Sequence, residues 1–264
     1  MKKKVFITGI TGMVGSHLLD FYFEHTNFEI HGLIRWRSSL ENIEQHLDKI
    51  NNKKRIFLHY GDLKDDKSLN DIIKLVRPDF VHHLAAQSFP KTSFDIPIDT
   101  YETNILGTSK LLEAIKNYSN NALIHVCSSS EIFGRVPKNK LPIDENCTFH
   151  PASPYAISKI GTDSVAKFYH EAYGLKVLTT RMFTHTGPRR GDVFAESSFA
   201  KQIAMIENGL IPTKKIKVGN IESLRTIADV RDAVRAYFLL LTHNPIPGEV
   251  YNIGGNYSCK IIDI

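Results

Sequence analysis

The chain has 264 residues, 42% hydrophobic and 23% charged, with 16 glycines and 11 prolines, so it can bury a substantial core without metals or disulfides and has room for one large α/β domain or a domain and a half. Three scattered cysteines, Cys127, Cys147 and Cys259, exclude a disulfide scaffold and a CxxC zinc site and suit a reducing, cytoplasmic compartment. The net charge of +5 suits an anionic dinucleotide or nucleotide sugar, or simply a solvated surface, and argues against nucleic acid as a partner.

No apolar run approaches the roughly 18 residues of a membrane span. The start, Lys2-Lys3-Lys4 before Val5-Phe6-Ile7, imitates a signal peptide, but Gly9, Gly12 and Gly15 interrupt it and no A-x-A site follows. It reads instead as the solvated entrance to a first strand, Lys4–Thr8. A helix over Val14–His25 follows, then strands at Glu29–Arg35 and Arg55–Tyr60. Next come a helix over Lys67–Val76, stopped by Pro78, a strand at Asp79–Leu84, a helix over Thr103–Asn117 and a strand at Leu123–Ser128. A long helix over Tyr155–Tyr173 leads to a sixth strand, Lys176–Arg181. Strands alternating with helices predict parallel pairing and a Rossmann-like, doubly wound α/β sheet. Beyond about residue 185 the pattern loosens, with helical stretches near Ser198–Asn208 and Asp229–Leu241. The expected division is a dinucleotide-binding domain over 1–184 and a smaller lobe over 185–264, with the chain crossing back to the main domain.

In chain order, the first chemical feature is Gly9-Ile10-Thr11-Gly12-Met13-Val14-Gly15, between a strand and a helix. Glycines there allow a tight turn and leave the helix N-terminus open to a pyrophosphate. The spacing is GxxGxxG rather than GxGxxG. The second strand ends in Arg35-Trp36-Arg37-Ser38-Ser39, with no carboxylate for an adenosine ribose. Two arginines and two serines suit a 2′-phosphate, which favours NADP, with NAD as the alternative. Asp62, just past the third strand, is placed either to contact adenine or to cap a helix.

Strand five ends in Ser128-Ser129-Ser130-Glu131, at the sheet edge where such folds bind ligands. A hydroxyl there can hold a substrate oxygen, and Glu131 can take a proton from carbon. Ser128 is the serine best suited to a loop-capping role. In Ser153-Pro154-Tyr155-Ala156-Ile157-Ser158-Lys159, Ser153 is placed as N-cap and Pro154 as the first helical residue. Tyr155 and Lys159 then share one helix face. Tyrosine at its ordinary pKa of about 10 is a poor base, and a neighbouring ammonium lowers that value. His82-His83 have no metal-ligand spacing, and no metal site is expected.

These residues together resemble the extended short-chain dehydrogenase/reductase family, and within it the GDP-mannose 4,6-dehydratase branch. The resemblance runs from Lys4 to about Gly255. Besides the motifs above it is carried by His83–Ser88, Asn104–Thr108, Gly187-Pro188-Arg189-Arg190-Gly191 and Gly219-Asn220 through Leu224-Arg225. It implies cofactor contacts from Gly9, Thr11, Gly12, Met13, Val14 and Gly15, from Arg35, Arg37 and Ser38, from Asp62 and Leu63, from Leu84, Ala85, Ala86 and Ser88, and from Tyr155 and Lys159. It implies substrate contacts from Ser88, Thr184, Arg189, Arg190 and Arg225, with Arg225 on the sugar diphosphate. It further implies a redox-neutral elimination. Tyr155, helped by Ser129 and Lys159, removes the C4 hydroxyl proton as hydride leaves; Glu131 takes the C5 proton; Ser130 assists loss of the C6 hydroxyl. A homodimer or homotetramer is expected, with the Arg37–Ser38 loop reaching an adjacent subunit.

Three departures bear on the substrate. Ser-Ser-Glu stands where the family has Thr-Ser-Glu, Thr184-His185-Thr186 where it has an asparagine, and Arg225-Thr226-Ile227 where Arg-Asp-Trp is common. The first swap keeps the hydroxyl, but the family's asparagine contacts substrate, so its replacement makes a GDP-heptose a rival to GDP-mannose. A 4-epimerase or 4-reductase would need Tyr155 and Lys159 but not Glu131, and a non-catalytic dinucleotide sensor would need neither. The end of the chain, Tyr251–Gly255 and then Ser258–Ile264, resembles the strand and first helical turn that the family places well before its C-terminus, so the substrate lobe is expected to be incomplete.

Overall fold

A computed structural model describes residues 2–264. In the first β-strand, β1 (Lys4–Thr8), Val5, Phe6 and Ile7 are fully buried, as an apolar run in a sheet covered on both faces must be. Helix α1 (Met13–His25) leads to β2 (Glu29–Ile34), a 3₁₀ turn at Glu41–His46, α2 (Leu47–Asn51) and β3 (Ile56–Tyr60). Helix α3 (Asp66–Val76) buries Leu69, Ile72, Ile73 and Val76, the i, i+3, i+4, i+7 stripe of an amphipathic helix. Its N-cap Asp65 accepts from the Lys67 amide, and Arg77, left-handed before Pro78, ends it. Strand β4 (Phe80–His83), α4 (Pro90–Asp95), α5 (Pro97–Tyr101), a π turn at Glu102–Leu106, α6 (Gly107–Tyr118) and β5 (Leu123–Cys127) follow.

A 3₁₀ turn at Ser130–Phe133 precedes α7 (Pro154–Tyr173) and β6 (Lys176–Met182). As expected, Ser153 caps α7 by accepting from the Ala156 amide and Pro154 is its first residue; the structure adds that left-handed Gly174 ends it. The chain then runs through β7 (His185–Thr186), α8 (Ala195–Glu207), β8 (Leu224–Asp229), α9 (Val230–Thr242), β9 (Val250–Ile253) and β10 (Tyr257–Lys260).

Seven parallel strands form the main sheet in the order β3-β2-β1-β4-β5-β6-β9. The chain winds outward from β1 in one direction and from β4 in the other, so a crevice opens above their C-terminal ends. On one face α3, α6 and α7 bury Leu69, Leu111 and Ala166. On the other, Leu18 and Leu19 of α1 pack with Val230 and Val234 of α9. A second sheet has the order β10-β8-β7, antiparallel between β10 and β8 and parallel between β8 and β7.

Three differences from the sequence reading have physical causes. The helical run around 103–117 begins earlier, because Pro90 and Pro97 each start a short helix and the π turn joins α5 to α6 without a break. The 3₁₀ turn and α2 between residues 41 and 51 were not expected; each is only a turn or so long, too short to display a period. Ser258–Ile264 was expected to open a helix. Instead Tyr257–Lys260 pairs antiparallel with β8, burying Cys259, and only Ile261–Asp263 makes a helical turn.

Candidate active site

The glycine turn shows why its residue types matter. Gly9 is left-handed at φ +74°, and a Cβ there would sit 2.9 Å from the Ala85 nitrogen. A Cβ on Gly15 would overlap the Gly9 carbonyl and lie 2.7 Å from the Ile10 Cα. The turn therefore closes only with glycine at positions 9 and 15. Gly12 is the N-cap of α1, with no side-chain cap and no acid in the first turn. The free amides at this helix start face a cleft of 560 Å³, lined here by Gly9, Gly12, Met13, Val14 and Gly15. A helix N-terminus with unmet donors and no competing carboxylate fits a dinucleotide pyrophosphate.

The cleft continues over the ends of β4, β5 and β6. Leu84, Ala86 and Ser88 line it. The strand-4 loop is held by Asn104, which accepts from the Gln87 amide and donates to the Gln87 carbonyl and to Ser158 of α7. Beneath the loop Thr8 Oγ1 accepts from the Leu84 and Ala85 amides.

In the centre, Ser129, Ser130, Glu131, Tyr155 and Lys159 all face the same cleft. Ser129 is buried and caps the 3₁₀ turn, accepting from the Glu131 amide at 3.2 Å, and its hydroxyl works on the Tyr155 phenol to favour the phenolate. Capping thus falls to Ser129, whereas Ser128 is buried and donates to the Lys159 carbonyl, tying β5 to α7. Glu131 is exposed to the cleft.

Lys159 differs from the sequence expectation. Its ammonium donates to the Cys127 carbonyl at 2.7 Å and lies 5.9 Å from the centre of the Tyr155 ring. Burial pushes the Tyr155 phenol well above its ordinary value; the Ser129 hydrogen bond and the charge of Arg190 oppose that rise, while Cys127 and Glu131 add to it. The lysine expected to lower this phenol is itself pulled down by burial. Tyr155 therefore holds its proton at neutral pH in this geometry, and the cation working on it is Arg190.

The far wall carries Thr184, His185, Arg189, Arg190, Glu196 and Arg225. Arg190 donates to the His185 carbonyl at 2.6 Å, stacks 4.0 Å above the Phe194 ring and lies 3.5 Å from Glu196. Burial keeps His185 below its ordinary value, hence neutral at pH 7. Arg189 is left-handed and pairs with Asp20 of α1. Arg225 is exposed on β8, its guanidinium bonded only weakly to the Leu224 carbonyl at 3.3 Å, so the fork is open to a diphosphate.

Some expected residues lie outside the cleft wall. Arg35 and Arg37 are exposed on the loop after β2, and Ser38 Oγ accepts from the Arg35 amide. Asp62 accepts from the Lys64 amide rather than capping α3, and Leu63 packs into the core. Thr11 contributes its carbonyl, which accepts from Asn42 at 2.9 Å. Sequence reasoning missed Asn42, Cys127, His185, Phe194 and Glu196, all of which line the cleft. The only signal was that His185 and Glu196 flank the Pro-Arg-Arg segment.

A doubly wound sheet with a glycine turn at its switch point and a serine, tyrosine and lysine beside it defines an enzyme of the short-chain dehydrogenase/reductase class. The profile described as GDP-mannose 4,6 dehydratase matches residues 6–264, and the chain belongs to that family. It is 39% identical over 249 residues to "GDP-mannose 4,6 dehydratase 1" of Arabidopsis thaliana, covering 91% of this chain and 67% of that protein. It is 34% identical over 267 residues to a GDP-mannose 4,6-dehydratase of Vibrio cholerae, covering 98% and 70%. Among solved structures, RMD from Pseudomonas aeruginosa complexed with NADPH superposes with a TM-score of 0.82 at 32% identity, covering 99% of this chain and 81% of that one.

Proposed function

We propose that the chain is an NADP-dependent nucleotide-sugar 4,6-dehydratase, a hydro-lyase that converts GDP-mannose or a related GDP-sugar to its 4-keto-6-deoxy product. The observation that carries this reading is Glu131, a carboxylate open to the same cleft as Tyr155, Lys159 and Ser129. A 4-epimerase has no task for it.

A nicotinamide dinucleotide held at the Gly9–Gly15 turn would supply a reversible hydride acceptor for this chemistry. The protein supplies the rest. Oxidation at C4 requires Tyr155 in its phenolate form to accept the C4 hydroxyl proton, a form that Ser129 and the charge of Arg190 favour against burial. Lys159, fixed on the Cys127 carbonyl by one of its three N–H donors, has two left for a ribose. Ketone formation at C4 acidifies C5, where Glu131 takes the proton while Ser130 donates to the C6 hydroxyl as it leaves as water; Glu131 gives that proton back to C5 as C6 is reduced, which completes the 4-keto-6-deoxy product. Arg225 holds the diphosphate, and Thr184, Ser88, Arg189 and Arg190 shape the sugar end. Gly9 through Gly15 hold the pyrophosphate, with Arg35, Arg37 and Ser38 on the 2′-phosphate and Asp62 near adenine.

In this reading the nucleotide sugar is held by the lobe built from residues 185–264, apart from the stretch that returns as α9 and β9. The chain acts in the cytoplasm as a homodimer or homotetramer. Trp36, 80% exposed between Arg35 and Arg37, offers a partner subunit an aromatic contact. No helix among the described residues is long and apolar enough to cross a membrane.

Mass spectrometry tests the reaction: incubation with GDP-mannose and NADP should yield a product lighter by one water. Glu131→Gln should lower the rate of water loss by about 10²–10⁴-fold, the range for removing a general base, while hydride exchange at C4 persists. An isomer of unchanged mass would instead establish epimerisation.

A further inference from the structure

The Arg35–Ser39 loop, outside the cleft wall, and the Pro188–Gly191 loop, which lines it, are more than 140 residues apart in sequence, yet one carboxylate joins the turn that follows the first to the second. Asp20, on the second turn of α1, accepts from His46 Nε2 at 2.7 Å and Gln45 Nε2 at 3.0 Å on Oδ1, and from Arg189 Nη1 at 2.7 Å on Oδ2. His46 and Gln45 end the 3₁₀ turn that continues the Arg35–Ser39 loop, and the same turn carries Asn42, which donates to the Thr11 carbonyl of the glycine turn. His17, one helical turn before Asp20, meets the Pro188 carbonyl at 3.2 Å.

Both sides of the carboxylate are under constraint. His46 is buried, and its Nδ1 has no partner among the described residues, so the bond to Asp20 is the tie that fixes the ring. Arg189 is left-handed at φ +67°, a conformation uncommon for a residue with a side chain. Its ion pair with Asp20 opposes relaxation of that backbone, and the next residue, Arg190, is the cation beside Tyr155. Burial by itself would raise the Asp20 carboxyl; the bonds from His46 and Arg189 outweigh it and hold the group ionised.

The geometry points to Asp20 as a positioning residue that couples the cofactor-phosphate loop to the substrate loop. Ordering of the 35–46 segment by the cofactor's adenosine end fixes His46 and Gln45 on one carboxylate oxygen, which orients the other oxygen to hold Arg189 and, through it, Arg190. Linkage makes the effect reciprocal: a ligand that seats the 188–191 loop tightens the cofactor by the same factor. The inference rests on the assignment above of the cofactor phosphate and the sugar to these two loops, but not on whether water is eliminated.

Adenosine 2′,5′-bisphosphate separates coupling from direct contact, because it carries the adenosine and 2′-phosphate without the nicotinamide end that enters the cleft. Hydrogen–deuterium exchange on the full chain at saturating bisphosphate should show amides 186–191 slowed at least threefold. In Asp20→Asn, slowing at residues 9–15 should remain while slowing at 186–191 disappears. Arg189→Gln removes the same tie from the other side and should reproduce the loss, and the double variant should add nothing further. Protection at 9–15 reports in each variant that the fold and the first site are intact. Equal slowing at 186–191 in wild type and Asp20→Asn, or none in wild type, overturns the coupling. A wild-type chain that shows the slowing but leaves GDP-mannose unchanged keeps the coupling and removes the dehydratase reading.

Discussion

The seven-stranded unit and the small lobe meet at the cleft, and they are held by different physics. In the main unit the chemistry stands on buried ends of regular elements: Ser129 at the end of β5, and Tyr155 and Lys159 on a capped twenty-residue helix. In the lobe, α8 has no fully buried residue, and β8 begins with two exposed residues, Leu224 and Arg225. The contrast extends to ion pairs. Arg181 meets Asp163 in a two-bond fork in which both side chains are about 7% exposed, behind the catalytic helix; Lys201 and Asp192 of the lobe pair with more than half of each side chain in solvent. Exposed pairs of the second kind contribute less than about 1 kcal/mol. In the proposed reading, proton transfer, which needs fixed distances, is built on rigid elements, whereas sugar recognition is assigned to loops whose position depends on a few charged ties.

The largest expected effect follows from the buried fork. Asp163→Ala leaves Arg181 as an unpaired buried cation and should lower the stability of the whole unit by about 3–5 kcal/mol, read as a fall in the urea midpoint at unchanged slope. A loss below about 1 kcal/mol would show that water reaches the site and would remove the contrast with the lobe.

Gly15→Ala is next. The added Cβ has only backbone to push against, at the Gly9 carbonyl and the Ile10 Cα, so overpacking should lower stability by about 1–3 kcal/mol. Nicotinamide dinucleotide affinity should fall more steeply than nucleotide-diphosphate affinity, because the distortion lies at the start of α1 and Arg225 lies across the cleft. Titration of both ligands by calorimetry checks this; equal losses would mean that the turn organises the lobe as well.

The same contrast explains what could be read from the sequence. β1 declares itself through the apolar run Val5-Phe6-Ile7 because it is buried on both faces, and α7 does so through Ser153 and Pro154, each with a local mechanism. Gly9, Gly12 and Gly15 were legible because their spacing encodes a backbone shape. In the lobe only the helix near Ser198–Asn208 was legible, as α8; its strands and their pairing were not. Strand β7 has two residues, β10 finds its partner β8 more than thirty residues away, and Glu196 sits in the cleft only because α8 folds back beside Arg190. The direction of Lys159 was also hidden. The pattern places it on the face of Tyr155, but the Cys127 carbonyl that holds it belongs to another element. Asp20 reads as one more polar residue on the outside of an amphipathic helix; its meaning depends on a partner 169 residues later.

The smallest effect lies at the joint of the two regions. Asp229 ends β8 in the lobe and caps α9 in the main unit, accepting from the Arg231 amide at 2.8 Å and from its guanidinium at 2.9 Å. The Arg231 hydrogen bond holds its carboxyl at about 2, below the ordinary value of 3.8. A depressed folded-state value means that the ionised group favours the folded chain above the unfolded pKa, and that this stability is lost as pH falls through about 2. Asp229→Ala should therefore lower stability by about 1 kcal/mol at pH 7, the usual worth of such a cap. The gap between wild type and variant should hold down to about pH 5 and close between roughly pH 4 and pH 2, as urea titrations at each pH would measure. If the variant also weakens binding of the nucleotide diphosphate while leaving NADPH unaffected, the cap sets the angle at which β8 presents Arg225. If both affinities stay unchanged, the lobe is positioned from its other side, through Asp20 and the 188–191 loop.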